Sequence, residues 1–166
     1  EKNFIGSLLA AEANSRKNKA LTFIGIKLHE PNIHLGYIEM GEKAEDIAGY
    51  PTNHFVKFRE KPTLEKATEY LKEGTYCGNA GYFTVDPLSL LEYYKEFAPS
   101  FHEKIMKIQS ALKTPDKSKI IKEIYHSFEK IAIDPLIWEK IPPEKVYVLP
   151  AELGWNDIGA WHVLYE

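Results

Sequence analysis

Four short stretches of this 166-residue sequence hold side chains whose types and spacing could do chemistry. In GWNDIGAW (154–161), Asp157 is set among two tryptophans and two glycines. Large aromatics favour burial and glycine permits close backbone approach, so a carboxylate fixed there sits in a walled recess, as a metal ligand or a catalytic acid does. A helix start capped by Asn156 or Asp157 is the competing structural reading. In REKP (59–62), Glu60 and Lys61 end a strand against Pro62. That pair is either a solvated ion pair at a helix entry or a carboxylate that accepts from sugar hydroxyls beside an ammonium that neutralises phosphate. GNAG (78–81) places Asn79, with both donor and acceptor for vicinal hydroxyls, beside glycines that let backbone crowd a ligand; an ordinary glycine turn into a strand would read the same way. LGYI (35–38) offers Gly36, whose bare backbone could face a sugar.

Other chemistries find little support. A net charge of −3 gives no electrostatic footprint for nucleic acid, and no basic run compensates for it. Cys77 is the single cysteine, so no intrachain disulfide forms, and the residue reads as a small packing group. No nucleophile elbow, zinc-protease helix, phosphate loop or dinucleotide fingerprint occurs, and the six histidines do not fall at metal-ligand spacings. No apolar run approaches a membrane span, so a soluble, cytoplasmic protein acting on a small molecule is expected. The chain opens at Glu1 inside a helical pattern (Phe4, Leu8, Ala11, Ser15), as a fragment or processed piece would.

The elements that must position these motifs follow from periodicity and punctuation. ALTFIGIKL (20–28) reads as a buried strand, LGYIEM (35–40) and HFVKFREK (54–61) as half-buried strands with a loop over 41–53 between them, AGYFTV (80–85) and KVYVLP (145–150) as two more. PTLEKATEYLKEG reads as a helix capped by Thr63 and stopped at Gly74. Asp86 and Pro87 open another, two more follow over 100–113 and 115–128, and GAWHVLYE starts a terminal helix. Strands alternating with helices predict an α/β domain with a mixed, mostly parallel sheet flanked by helices.

Taken in order, FIGIKLHEPNIHLGYIEM, FVKFREKP, GNAGYF, IAIDPLIWEK and VYVLPAELGWNDIGAW resemble the C-terminal part of the nucleotidyltransferase domain of sugar-nucleotide pyrophosphorylases, most closely the mannose-1-phosphate guanylyltransferases. The resemblance covers residues 20–166 and implies a Rossmann-like nucleotidyltransferase fold. It implies that Glu60 and Asn79 contact hexose hydroxyls, that Gly36 meets the sugar through its backbone, and that Lys61 approaches the sugar phosphate. It makes Asp157 a ligand of the catalytic Mg²⁺ and gives Asp134 a supporting place. The implied reaction joins mannose 1-phosphate to GTP, giving GDP-mannose and pyrophosphate. The family's Gly-rich nucleotide loop and first-half metal aspartate are absent, and Gly78 and Ala80 stand where the family has Trp and Ser. The expectation is therefore a sugar phosphate subsite with half a metal site over residues 1–166, the nucleotide-binding part missing, and little activity in isolation. Such a piece would aggregate or form a homodimer. A regulatory, sugar-sensing relative, or a pyrophosphorylase for glucose or N-acetylglucosamine 1-phosphate, is the alternative.

Overall fold

The computed structural model describes residues 2–156, so Asp157 and the terminal helix expected from GAWHVLYE lie outside the described residues. The chain divides into two compact units, one running to Asp86 and resuming at Pro142, the other spanning Pro87–Ile141.

The first unit carries five strands: β1 (Leu21–Ile26), β2 (Gly36–Ile47), β3 (Tyr50–Arg59), β4 (Tyr76–Thr84) and β5 (Val146–Ala151). They close on themselves in the order β1-β4-β2-β3-β5. Phe23 of β1 meets Phe55 and Phe58 of β3, with ring centroids 6.4 and 5.1 Å apart. Those strands are not neighbours, so the rings fill the interior of the closed sheet. Helix α1 (Lys2–Asn18) packs outside, where Ala10 and Ala11 meet Ile24, Ile47, Leu149 and Ala151. Helix α2 (Leu64–Glu73) joins β3 to β4 with the caps read from the sequence: the Thr63 hydroxyl accepts from the Lys66 amide at 3.4 Å, and Gly74 ends the helix at φ +70°.

The sheet is mixed, as expected, but its share of parallel pairing is small. Among the described strands only β1 and β5 run parallel, and the other four pairings are antiparallel. Two facts correct the expected mostly parallel sheet: β4 inserts between β1 and β2 and runs against both, and β2 turns directly into β3. A two-residue connection can only join antiparallel strands. That connection replaces the expected loop over 41–53. Ala48 and Gly49 both have positive φ, +51° and +84°, the pattern of a tight hairpin turn whose twist suits the flanking strands. Likewise β4 starts at Tyr76, so GNAG lies inside a strand, not before one.

The second unit is helical: α3 (Pro87–Phe97), α4 (Pro99–Ala111), α5 (Lys117–His126) and the single turn α6 (Ile133–Leu136). Pro87 and Pro99 occupy first-turn positions, where their missing N–H costs nothing. Phe101 and Phe128 pack with ring centroids 5.0 Å apart, and Lys104 donates to the Ser127 carbonyl at 2.6 Å.

A buried polar seam fastens α1 to the sheet. The Asn14 amide donates to the Thr22 hydroxyl at 3.0 Å, and the Ser15 hydroxyl lies 2.9 Å from Thr22 Oγ1 and 3.0 Å from the Thr84 carbonyl. Asn14 and Thr22 are fully buried, and every polar group there has a partner inside the protein. Thr22→Val would keep the shape and strand the Asn14 amide. It is expected to cost about 1–3 kcal/mol, read as a lower urea midpoint at unchanged m-value.

Candidate functional site

The site is assembled on the three adjacent strands β1, β4 and β2. Asn79 faces Gly25 of β1 on one side and Gly36 of β2 on the other, so one amide side chain stands in a row between two residues that have none. The row is closed on the β2 side by Glu60, which leaves the end of β3. A Cβ built on Gly36 would lie 2.9 Å from Glu60 Oε2 and 3.7 Å from Asn79 Cβ. Gly36, Glu60 and Asn79 are distant in sequence and meet here. The Asn79 side chain is turned back on its own strand, its Oδ1 accepting from the Gly81 amide at 3.0 Å, which leaves the amide nitrogen to present a donor.

The end of β3 is a fixed point. Arg59 grips Glu39 on β2 through two nitrogens, at 2.5 and 3.1 Å. Tyr76 stacks on Tyr70 at 4.1 Å, and burial followed by the Glu39 carboxylate pushes its phenol upward. From this anchor the chain turns sharply. Lys61 adopts φ +38°, a left-handed conformation for a non-glycine residue whose successor is Pro62. Side chains rarely adopt it, and a residue before proline prefers extended backbone. Its ammonium lies 3.4 Å from Glu60 Oε1, both side chains are well exposed, and so the ion pair is open to an incoming anion.

The opposite rim is formed where the parallel strands β1 and β5 end together. The Lys27 amide donates to the Ala151 carbonyl at 3.1 Å, one residue beyond the strand register. Beyond it His29 Nε2 lies 3.0 Å from Glu152 Oε1. No local signal in the sequence marks this pair; its members are 123 residues apart and only the parallel register joins them.

The predicted residues therefore divide. Gly36, Glu60 and Asn79 converge, with Lys61 adjoining Glu60. Asp134 lies in α6 of the helical unit, and Asp157 is outside the described residues. Among the described residues no three His, Cys, Asp or Glu side chains come close enough to hold a metal ion. Cys77 is the packing group expected: it is buried beside Met40, and a Cβ on Gly25 would strike its own Cβ at 2.5 Å.

Comparison with known proteins then gives the site a context. A profile described as nucleotidyl transferase matches residues 5–166. The xanthan biosynthesis protein XanB of Xanthomonas campestris pv. campestris (strain B100) is 30% identical over 167 residues, covering 100% of this chain and 34% of its own length. The mannose-1-phosphate guanylyltransferase of Escherichia coli (strain K12) is 29% identical over 171 residues, covering 100% of this chain and 34% of its own. A crystal structure from Thermus thermophilus, described as mannose-1-phosphate geranyltransferase, superposes with a TM-score of 0.81 at 25% identity, over 99% of this chain and 46% of that one. The chain spans about a third of the length of the curated relatives it matches.

Burial pushes the Cys77 thiol from an ordinary 9.0 up to about 12. The folded state holds its proton more tightly than the unfolded chain, so this contribution to stability is complete below pH 9 and is lost as pH rises toward 12. In the native protein at pH 8, Cys77 is expected to resist an aromatic disulfide reagent and to react fully once urea unfolds the chain; fast native labelling would refute its burial.

Proposed function

This chain belongs to the nucleotidyl transferase family, and from that premise we propose that it supplies the sugar phosphate side of a mannose-1-phosphate guanylyltransferase. The reaction is attack of the mannose 1-phosphate oxygen on the α-phosphorus of GTP, in line with the departing pyrophosphate, giving GDP-mannose. The observation that carries the reading is the meeting of Gly36, Glu60 and Asn79 around one patch of sheet, with the ammonium of Lys61 beside it. The similarity to proteins named mannose-1-phosphate guanylyltransferase supports the choice of sugar and nucleotide.

Each group has a role its chemistry suits. The Glu60 carboxylate accepts from hexose hydroxyls, and Asn79 donates to another. Gly36 admits the ring against backbone, at a point where a Cβ would lie 2.9 Å from Glu60 Oε2 and displace that carboxylate. Lys61 neutralises the sugar phosphate, whose charge would otherwise oppose approach to the triphosphate. Positioning and charge neutralisation are what phosphoryl-type transfers ask of a protein. Asp157 is the proposed Mg²⁺ ligand; the described residues do not by themselves fit that ion, so the steps above are carried by the chain's own side chains. The nucleotide side of the site belongs, on this reading, to sequence that accompanies these residues in the whole protein.

Two experiments test the proposal in the full reading frame. Pyrophosphate release is measured with mannose, glucose and N-acetylglucosamine 1-phosphates against the four nucleoside triphosphates. Turnover confined to mannose 1-phosphate and GTP supports the reading, whereas a folded protein that binds sugar phosphate and turns over none of the pairs is a regulatory relative. Asp157→Ala retaining wild-type turnover would remove that residue from the metal site.

A second prediction separates stability from function at one residue. Left-handed backbone at a non-glycine residue costs on the order of 1–3 kcal/mol, so Lys61→Gly relieves strain that the site imposes. The variant is expected to melt no lower than wild type while losing about 10- to 100-fold in turnover, the worth of a charged hydrogen bond to phosphate. A parallel fall in both quantities would make Lys61 a structural residue.

A further inference from the structure

Resting on the sugar phosphate reading above, we propose that His29 and Glu152 form a positioning clasp that holds the site's two rim segments in register. The segments are the loop 27–35, which delivers Gly36, and residues 152–156, which lead along the chain toward Asp157. Neither His29 nor Glu152 is assigned a contact with substrate; both act through the backbone they fix.

The loop is already held near both ends. Its first residue is tied by the Lys27 amide to the Ala151 carbonyl at 3.1 Å. Leu28 then folds onto Gly78, where a Cβ would lie 3.1 Å from its Cδ1, Cδ2 and Cγ; the glycine leaves room for that leucine, next to Asn79. At its far end the Asn32 amide donates to the Tyr37 hydroxyl at 2.9 Å, and the His34 amide to Asn32 Oδ1 at 2.8 Å. Between these anchors the loop is exposed at Glu30 and Pro31. There His29 reaches across to Glu152 at 3.0 Å, and among the described residues this is the one side-chain hydrogen bond that joins the two segments of this rim.

Bond chemistry sets the direction. The Glu152 carboxylate can only accept when ionised, so Nε2 carries the proton and donates. Both side chains are well exposed, 71% and 50%, so the bond can add little to global stability. Its effect is local, on how often the loop and the chain beyond β5 occupy the arrangement that flanks Asn79. A contact of this class shifts such a population by about 2- to 5-fold.

The test separates the clasp from the function it serves. Amide hydrogen exchange is followed in the whole protein for wild type, His29→Ala, Glu152→Ala and the double variant. Each single change is expected to speed exchange in both 28–35 and 152–156 by about 2- to 5-fold, with the double variant no faster than either. Effects confined to the mutated segment, or additive in the double variant, overturn the clasp. This readout needs no substrate, so it stands even if the sugar assignment fails. In the active enzyme, His29→Ala is expected to raise the KM for sugar phosphate by about 2- to 5-fold with kcat nearly unchanged. His29→Gln, which keeps a donor near the Nε2 position, is expected to restore it. An unchanged KM in an enzyme whose rim exchange has risen would overturn the positioning role, and failure of wild type to turn over would instead overturn the enzymatic reading.

Discussion

The register of β4 between β1 and β2 is the constraint on which the site depends. Asn79 lies opposite Gly25 and Gly36 at once, while its neighbour Gly78 lies opposite Ile26 and Tyr37. Successive strand residues point to opposite faces, so a slip of one residue would send Asn79 into the layer of Ile26 and Tyr37, both buried, and leave a glycine in the row. Burial on that second face fixes the register, and with it the one amide aimed between two bare backbones. The same register explains Leu28, which lies over Gly78 because the strand has turned that glycine toward it.

Rigidity and strain are divided across the first unit. The outer face of β1 is locked to α1 by the satisfied network of Asn14, Ser15, Thr22 and Thr84, and the interior is filled by phenylalanines. Against that scaffold the rim holds the less favourable local structure, the left-handed Lys61 and a clasp between two exposed side chains. Such features persist only where the surrounding fold over-determines them, and here the Arg59 to Glu39 bridge, immediately before Glu60, provides one of the constraints.

What was legible in the sequence followed from local signals. The apolar runs of β1 and β5, the caps of α2 and the proline starts of α3 and α4 announce themselves in a few residues each. The arm over 41–53 did not, because GEKAED at its start is almost wholly polar, Ile47 is an isolated buried apolar residue there, and no alternation marks the segment as strand. GNAG looks like a turn by composition, yet pairing on both sides of β4 supplies its backbone hydrogen bonds and makes it strand. The proportion of parallel pairing misread for a related reason: helices between strands predict parallel neighbours only if consecutive strands are adjacent, and β4 enters between β1 and β2. Gly36, Glu60 and Asn79 could be picked out as candidates from their motifs, but their convergence required the sheet. The His29 to Glu152 contact left no local trace at all.

The inventory of the site also bears on mechanism. In a reaction where the sugar phosphate itself supplies the attacking oxygen, the protein needs no nucleophile of its own. The groups gathered here are a carboxylate, an amide, an ammonium and bare backbone, all of them suited to locating hydroxyls and neutralising charge. The single cysteine, whose thiol would be the natural group for covalent chemistry, is buried against Met40 with its proton held to about pH 12. Rate enhancement from such a site comes from orientation and electrostatics, which are sensitive to displacements of about 1 Å. On the proposed reading, the weak bond between His29 and Glu152 therefore acts on the placement of the sugar phosphate more than on folding.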